Sequence, residues 1–234
     1  MTEPYYQDDY VTLYHGDCLE HPEWWVDADV LVTDPPYGIA WEGVANYSRG
    51  LRTDRKTVGN LNPIAGDESL QVRDKAISLW EGVRKPSIIF GKWSMPRPQN
   101  TAHRLIWWKR GQAPGPATAA FMTQDEEIYI SGDGFVKSTP PLRSVIATSE
   151  PRSVEVRKIG HPTPKPVGLM EILIGRCQPS WIIADPFAGS GSTLVAAKGL
   201  QRKAIGVELE ERYCEIAARR LSQGVLDLWG GEEA

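Results

Sequence analysis

With 234 residues the chain has room for one sizeable α/β domain and is short for two. Its net charge of −4 carries no overall nucleic-acid signature, so a polyanion would have to meet local positive surface. Three widely spaced cysteines, no ligand-spaced histidine pair and no long apolar run argue against a disulfide scaffold, a zinc site and a membrane span.

The first residues, Met1 to Asp9, are acidic and unlike a signal peptide, which predicts a protein of the reducing cytoplasm. Residues 11–14 read as a strand, and Asp29-Val30-Leu31-Val32-Thr33 as a short buried one. Asp34-Pro35-Pro36-Tyr37 ends that second run, where open α/β sheets place their ligands. Two prolines remove two N–H donors, so their carbonyls only accept. Asp34 adds a second acceptor and Tyr37 a flat face, which suits a planar substrate carrying an NH2 group. The same residues would also serve as a plain strand-ending turn.

Residues 38–66 are polar and glycine-punctuated, and are expected to form a mobile loop after the strand. A helix is predicted over 68–83, strands at 87–90, 105–108 and 127–130, and a Gly-Pro loop at 111–118. Residues 138–164 are rich in Pro, Ser and Arg, with one apolar segment near Val145-Ile146. Lys165 to Cys177 reads as a helix opened by Pro166 in its first turn. Of the nine tryptophans, Trp24, Trp25, Trp80, Trp107, Trp108 and Trp181 are expected to pack in the core or sheet. Trp41 and Trp93, after strand ends, are the better stacking candidates.

Near the end, the apolar run Trp181-Ile182-Ile183-Ala184 leads into Asp185-Pro186-Phe187-Ala188-Gly189-Ser190-Gly191-Ser192-Thr193, and helical spacing follows over 194–200. Lys203 to Glu208 reads as a strand ending in an acid, and Glu210 to Leu221 as a helix. Strand, glycine loop, helix and strand make a nucleoside-binding βαβ unit, in which glycines allow close backbone approach and the helix start offers free N–H groups. Glu208 lies 19 residues after Gly189, the spacing of an acid that bonds a ribose. A phosphate P-loop would need Lys before the Ser/Thr, and a dinucleotide site a third glycine. The remaining ligand is an adenosyl group without pyrophosphate, and Asp185 suits a cationic one. Alternating strands and helices predict a single domain, 1–234, with a mostly parallel sheet and helices on both faces.

Asp34-Pro35-Pro36-Tyr37 and Asp185-Pro186-Phe187-Ala188-Gly189-Ser190-Gly191 resemble the two signature motifs of the DNA amino-methyltransferases. His161-Pro162-Thr163-Pro164-Lys165-Pro166 resembles that family's third landmark, and Tyr14-His15-Gly16-Asp17-Cys18-Leu19 its Gly-Asp element. The order, catalytic motif first and cofactor loop last, resembles the permuted beta class over roughly residues 11 to 222. The resemblance implies a Rossmann-like class I methyltransferase fold and S-adenosylmethionine as methyl donor. It implies that Asp34, Pro35, Pro36 and Tyr37 form the catalytic motif, with Asp34 also beside the cofactor. Asp185, Phe187, Ala188, Gly189, Ser190 and Gly191 would line the cofactor's methionine end, and Lys165 would help hold its carboxylate. Glu208 would take the ribose hydroxyls, and Asp17 with Cys18 the adenine edge.

The amine of adenine or cytosine is a poor nucleophile, because its lone pair is delocalised into the ring. Accepting hydrogen bonds from both of its N–H groups, at Asp34 and the Pro35 carbonyl, would draw it towards a pyramidal, reactive shape. The methyl would pass in line, catalysis resting on positioning with no metal, and the base would have to be flipped from duplex DNA to stack on Tyr37.

Positive charge is local. Residues 137–166 hold six basic side chains against two acids, and residues 40–60 hold four against two. Arg49, Arg52, Arg55, Lys56, Arg143, Arg152, Arg157 and Lys158 are therefore the candidate DNA contacts. Residues 138–160 are all that remains for a target-recognition insert, which fits a compact stand-alone enzyme, phage-borne or without a partner nuclease. A homodimer is one assembly open to it. Asp at position 34 leans to adenine N6, where Ser would lean to cytosine N4. An NAD-linked oxidoreductase would explain Glu208 and the glycine loop but leave residues 34–37 idle. A non-catalytic DNA-binding module would explain the basic stretches but not the cofactor loop.

Overall fold

Apolar runs with alternating faces become the strands of one sheet. A computed structural model describes residues 3–38, 69–110, 121, 123–148, 159–161 and 163–223. Its strands are β1 (Tyr6–Gln7), β2 (Val11–His15), β3 (Val30–Thr33), β4 (Ser87–Gly91), β5 (His103–Lys109), β6 (Asp125–Ser131), β7 (Val145–Thr148), β8 (Ile183–Asp185) and β9 (Ala204–Glu208). The spatial order is β1-β2-β9-β8-β3-β4-β6-β5-β7. Five of the eight pairings are parallel; β1 on β2, and β6 on both β4 and β5, are antiparallel.

The central strands are covered on both faces, as the unbroken run 30–33 requires. Val30 and Val32 join Ile88, Phe90 and Ile183 in one core. Leu31, Ile89 and Ala184 point the other way and join Trp25 and Trp80 in a second core. Helix α1 (Gln71–Gly82) covers the second face with Ala76, Ile77 and Trp80, a helical one-face spacing. Helices α2 (Val167–Ile174), α3 (Ser192–Gly199) and α4 (Glu211–Ser222) cover the first through Leu169, Leu173, Leu194, Ala197 and Ala217.

This wrapping positions the site. Among the described residues, the helix after β3, α1, lies on one face, and the helix after β8, α3, lies on the other. β3 and β8 are neighbours, so a crevice opens outside their carboxyl ends, where the winding reverses.

Several expectations shift. The helix predicted over 68–83 spans Gln71–Gly82. The helix predicted over 165–177 spans Val167–Ile174, because Pro166 is extended (ψ 132°) and caps the helix from outside it. Within 138–160, Val145–Thr148 pairs in parallel with β5 and extends the sheet edge. β1 is only 2 residues long, too short for a periodic signal. Trp25, Trp80 and Trp107 are fully buried as predicted, but Trp108 is 43% exposed, with the Arg110 guanidinium 5.5 Å from its ring. Trp93 is 68% exposed. The loop expected at 38–66 lies outside the described residues after Gly38, as does Trp41. Among the described residues no helix is long and apolar enough to cross a membrane.

Candidate active site

The crevice holds a cavity of about 420 Å³, of the size that takes a small ligand, and both sequence motifs line it. At one end are Asp17, Cys18, Gly189 and Glu208; at the other are Asp34, Tyr37, Glu126 and Lys165. Its lining carries seven carboxylates (Asp17, Asp34, Asp125, Glu126, Asp185, Glu208, Glu210) against three lysines (Lys92, Lys109, Lys165). Such a lining repels phosphate and favours a cation.

The glycine loop between β8 and α3 is shaped by packing as much as by any ligand. Gly191 has φ 78°, and a Cβ there would lie 2.9 Å from the Ala217 Cβ on α4. Gly189 has φ 52°, and its Cβ would meet His161 Nε2 at 3.2 Å. The His161 ring in turn lies 4.5 Å from that of Tyr213, so His161 packs between the loop and α4. Arg220 from α4 donates to the Ser190 carbonyl (2.6 Å), Ser190 Oγ (3.2 Å) and Ser192 Oγ (3.3 Å). Ala188 is buried, and Phe187 packs its ring on the second core.

Two buried acids end the strands on either side of this loop. Asp185 accepts from Thr33 Oγ1 (2.7 Å) and the Phe187 N–H (3.2 Å). Burial pushes its carboxyl up to about 6, against the lowering effect of its Thr193 and Thr33 hydrogen bonds. Glu208 accepts the Gly189 N–H on one oxygen (2.7 Å) and the Glu210 N–H on the other (2.8 Å). Burial pushes it up to about 7. Each Glu208 oxygen keeps a lone pair for a further donor such as a hydroxyl. Across from it, Asp17 accepts the Leu19 N–H at 2.8 Å. The Cys18 thiol is pushed up to about 12, chiefly by burial, so it is an apolar wall and not a thiolate.

At the other end Asp34 is held by two donors. Tyr37 OH donates to Asp34 Oδ1 (2.8 Å) and to Glu126 Oε2 (3.2 Å). The Lys165 ammonium pairs with Asp34 Oδ2 and lies 3.2 Å from Glu126 Oε2. Lys109 pairs with Glu126 Oε1. Burial, then the Asp34 and Glu126 carboxylates, raise the Tyr37 phenol well above its ordinary value, so it stays a donor. Pro35 and Pro36 border the same cavity.

The structure therefore gathers Asp17, Cys18, Asp34, Pro35, Pro36, Tyr37, Lys165, Asp185, Phe187, Ala188, Gly189, Ser190 and Glu208 around one cavity, with Gly191 just behind. The resemblance sets Lys165 at the cofactor's carboxylate; here its ammonium meets Asp34 and Glu126. Of the candidate DNA contacts, Arg143 is exposed beside β7, and Arg49, Arg52, Arg55, Lys56, Arg152, Arg157 and Lys158 lie outside the described residues.

Glu126 and Lys109 escaped the sequence reading. A signal existed: Asp125-Glu126-Glu127 opens β6, a strand covered on both faces, so alternate acids must turn inward to opposite sides. Glu127 is spent on structure, accepting from Arg104 at 2.7 Å.

Residues 28–219 match the N6_N4_Mtase family, described as DNA methylases. The type II methyltransferase M2.LlaDCHI of Lactococcus lactis subsp. cremoris is 27% identical over 257 aligned positions, covering 96% of this chain and 94% of that protein. Among solved structures, the M1.HpyAVI–SAM complex superposes with a TM-score of 0.62 at 20% identity, over 90% of this chain and 100% of that one. The cytosine-N4-specific PvuII DNA methyltransferase gives 0.60 at 15% identity, over 94% of this chain and 89% of that one. These two likenesses concern the fold.

Proposed function

Because this chain belongs to the N6/N4 family of DNA methylases, we propose that it moves the methyl group of S-adenosylmethionine to the N6 amine of a flipped adenine in duplex DNA. The observation that carries the reading is the joining of both motifs in one cavity, with the Asp34 carboxylate at one end and Glu208 at the other. The NAD-linked and non-catalytic readings give way to family membership.

The residues present fit the cofactor. An acid-rich lining suits a sulfonium cation, and the two Glu208 oxygens can accept from vicinal ribose hydroxyls. Cys18 and Phe187 offer apolar walls, and Asp17 flanks them for the adenine edge. The bound cofactor supplies an electrophilic methyl. Asp34 and the Pro35 carbonyl accept the two N–H groups of the target amine and hold its nitrogen in line with that methyl. The proton that the amine gives up on methylation would pass towards Asp34, the charged one of its two acceptors. Adenine over cytosine rests on a carboxylate at position 34, where the resemblance associates serine with cytosine. DNA contact is assigned to Arg143, to the basic residues at 49–56 and to those at 152–158.

The test is duplex DNA incubated with methyl-labelled cofactor and then digested to nucleosides. Label in N6-methyldeoxyadenosine is expected. Label in N4-methyldeoxycytidine would overturn adenine while leaving amine methylation, and unlabelled DNA would overturn the function.

Cofactor affinity should also depend on pH. Glu208 and Asp185 hold their protons up to about 7 and about 6 in the free protein. Ribose hydroxyls and a sulfonium favour the ionised forms, so binding lowers both values and releases protons. Affinity should therefore rise as pH climbs through that window and level off above it. Calorimetry in buffers of different ionisation enthalpy should register proton release at the acid end; a flat dissociation constant with no release would rule this out.

A further inference from the structure

Asp34 keeps a lone pair on each oxygen but is a weakened acceptor for a target amine while both oxygens are shared with protein donors. Tyr37 OH sits on Oδ1, and the Lys165 ammonium on Oδ2. A carboxylate already shared with a phenol and an ammonium is a weaker acceptor for a third donor. Yet both of these donors have the same second partner. Tyr37 OH is 3.2 Å from Glu126 Oε2, and Lys165 Nζ is 3.2 Å from the same atom. The geometry points to Glu126 as the positioning residue that holds Lys165 and Tyr37 while Asp34 is handed to the target amine.

The surroundings support this division of labour. Both carboxylates line the cavity, but the Glu126 side chain is 12% exposed and that of Asp34 25%, so Asp34 is the more open of the two. Glu126 is anchored from behind by Lys109, itself 10% exposed, which fixes its Oε1 and leaves Oε2 facing the two donors. Two carboxylates and two ammoniums balance in charge, so a neutral base adds none to the cluster. Without the Glu126 charge, Lys165 would be drawn more strongly to Asp34, and the acceptor would be withdrawn from the substrate. The Lys165 ammonium also lies 5.1 Å from the Phe90 ring and 5.7 Å from the Tyr37 ring, aromatic faces that tolerate a cation through a small shift.

This inference rests on the proposed function, and the experiment separates the two. Glu126→Gln keeps shape and one acceptor but removes the charge; Glu126→Asp restores the charge. Single-turnover methyl transfer to duplex DNA at saturating cofactor is expected to slow at least about tenfold in Glu126→Gln, the scale of one charged hydrogen bond. The cofactor dissociation constant and melting temperature should stay near the parent's, and Glu126→Asp should recover part of the rate. A merely structural Glu126 would lower rate, cofactor affinity and melting temperature together, which would overturn the holding role. So would a Glu126→Gln variant as fast as the parent, and in that case amine methylation stands. A parent that transfers no methyl at all overturns both.

Discussion

Asp34→Ala is expected to slow methyl transfer by at least about 100-fold, the scale of losing one preorganised group at the reacting centre. Cofactor binding should remain measurable. Asp34 follows β3 and stands at the opposite end of the cavity from Glu208 and Asp17, so its loss leaves the nucleoside end intact. The fold should tolerate the change. Its side chain is a quarter exposed, and its two donors, Lys165 and Tyr37, both keep Glu126 as partner. What disappears is the acceptor proposed to draw the target amine out of conjugation with its ring. Asp34→Asn is the stricter version, since it keeps the shape and replaces one acceptor with a donor. Either variant retaining a tenth or more of parental turnover would falsify the assignment of Asp34 to the amine.

Glu208→Gln is expected to weaken S-adenosylmethionine binding by about 1–3 kcal/mol, or roughly 5- to 150-fold. Gln is preferable to Ala here, because Glu208 also accepts the Gly189 and Glu210 N–H groups. Truncation to Ala would leave those donors without their acceptor and loosen the glycine loop, mixing stability with affinity. Gln keeps one of the two backbone acceptors, loses the other and with it the charge and one acceptor for a ribose hydroxyl, a smaller loss to the loop than Ala causes. The measurement is titration calorimetry on a variant whose melting temperature has been checked. An unchanged dissociation constant in the folded variant rules the ribose role out.

Local patterns found most of the elements. Four consecutive buried residues at 30–33, and the strand–glycine loop–helix–strand series from 183 to 208, are stretches where neighbouring side chains alone set the periodicity. Where the reading slipped, a contact distant in sequence decided. The exposure of Trp108 depends on what packs over its side of β5. The pairing of Val145–Thr148 depends on β5 being within reach.

The glycines show both sources at once. Their spacing marked a nucleoside loop, but the reasons for two of them are tertiary: Ala217 behind Gly191 and His161 behind Gly189. Lys165 was legible as part of a landmark, whereas its place on Asp34 was not, since 131 residues separate the two in the chain.

By itself, then, the sequence marked the central strands, the motif order and the chemistry proposed for each motif, because these depend on residue type and short spacing. Only the tertiary structure decided that β3 and β8 lie side by side, so that Asp34 and Glu208 share one cavity. It alone brought Glu126 and Lys109, 89 or fewer residues along the chain from Tyr37, up to the catalytic motif. The physical reason is that strand order and helix cover are set by the burial of whole faces. No window of neighbouring residues encodes which faces will meet.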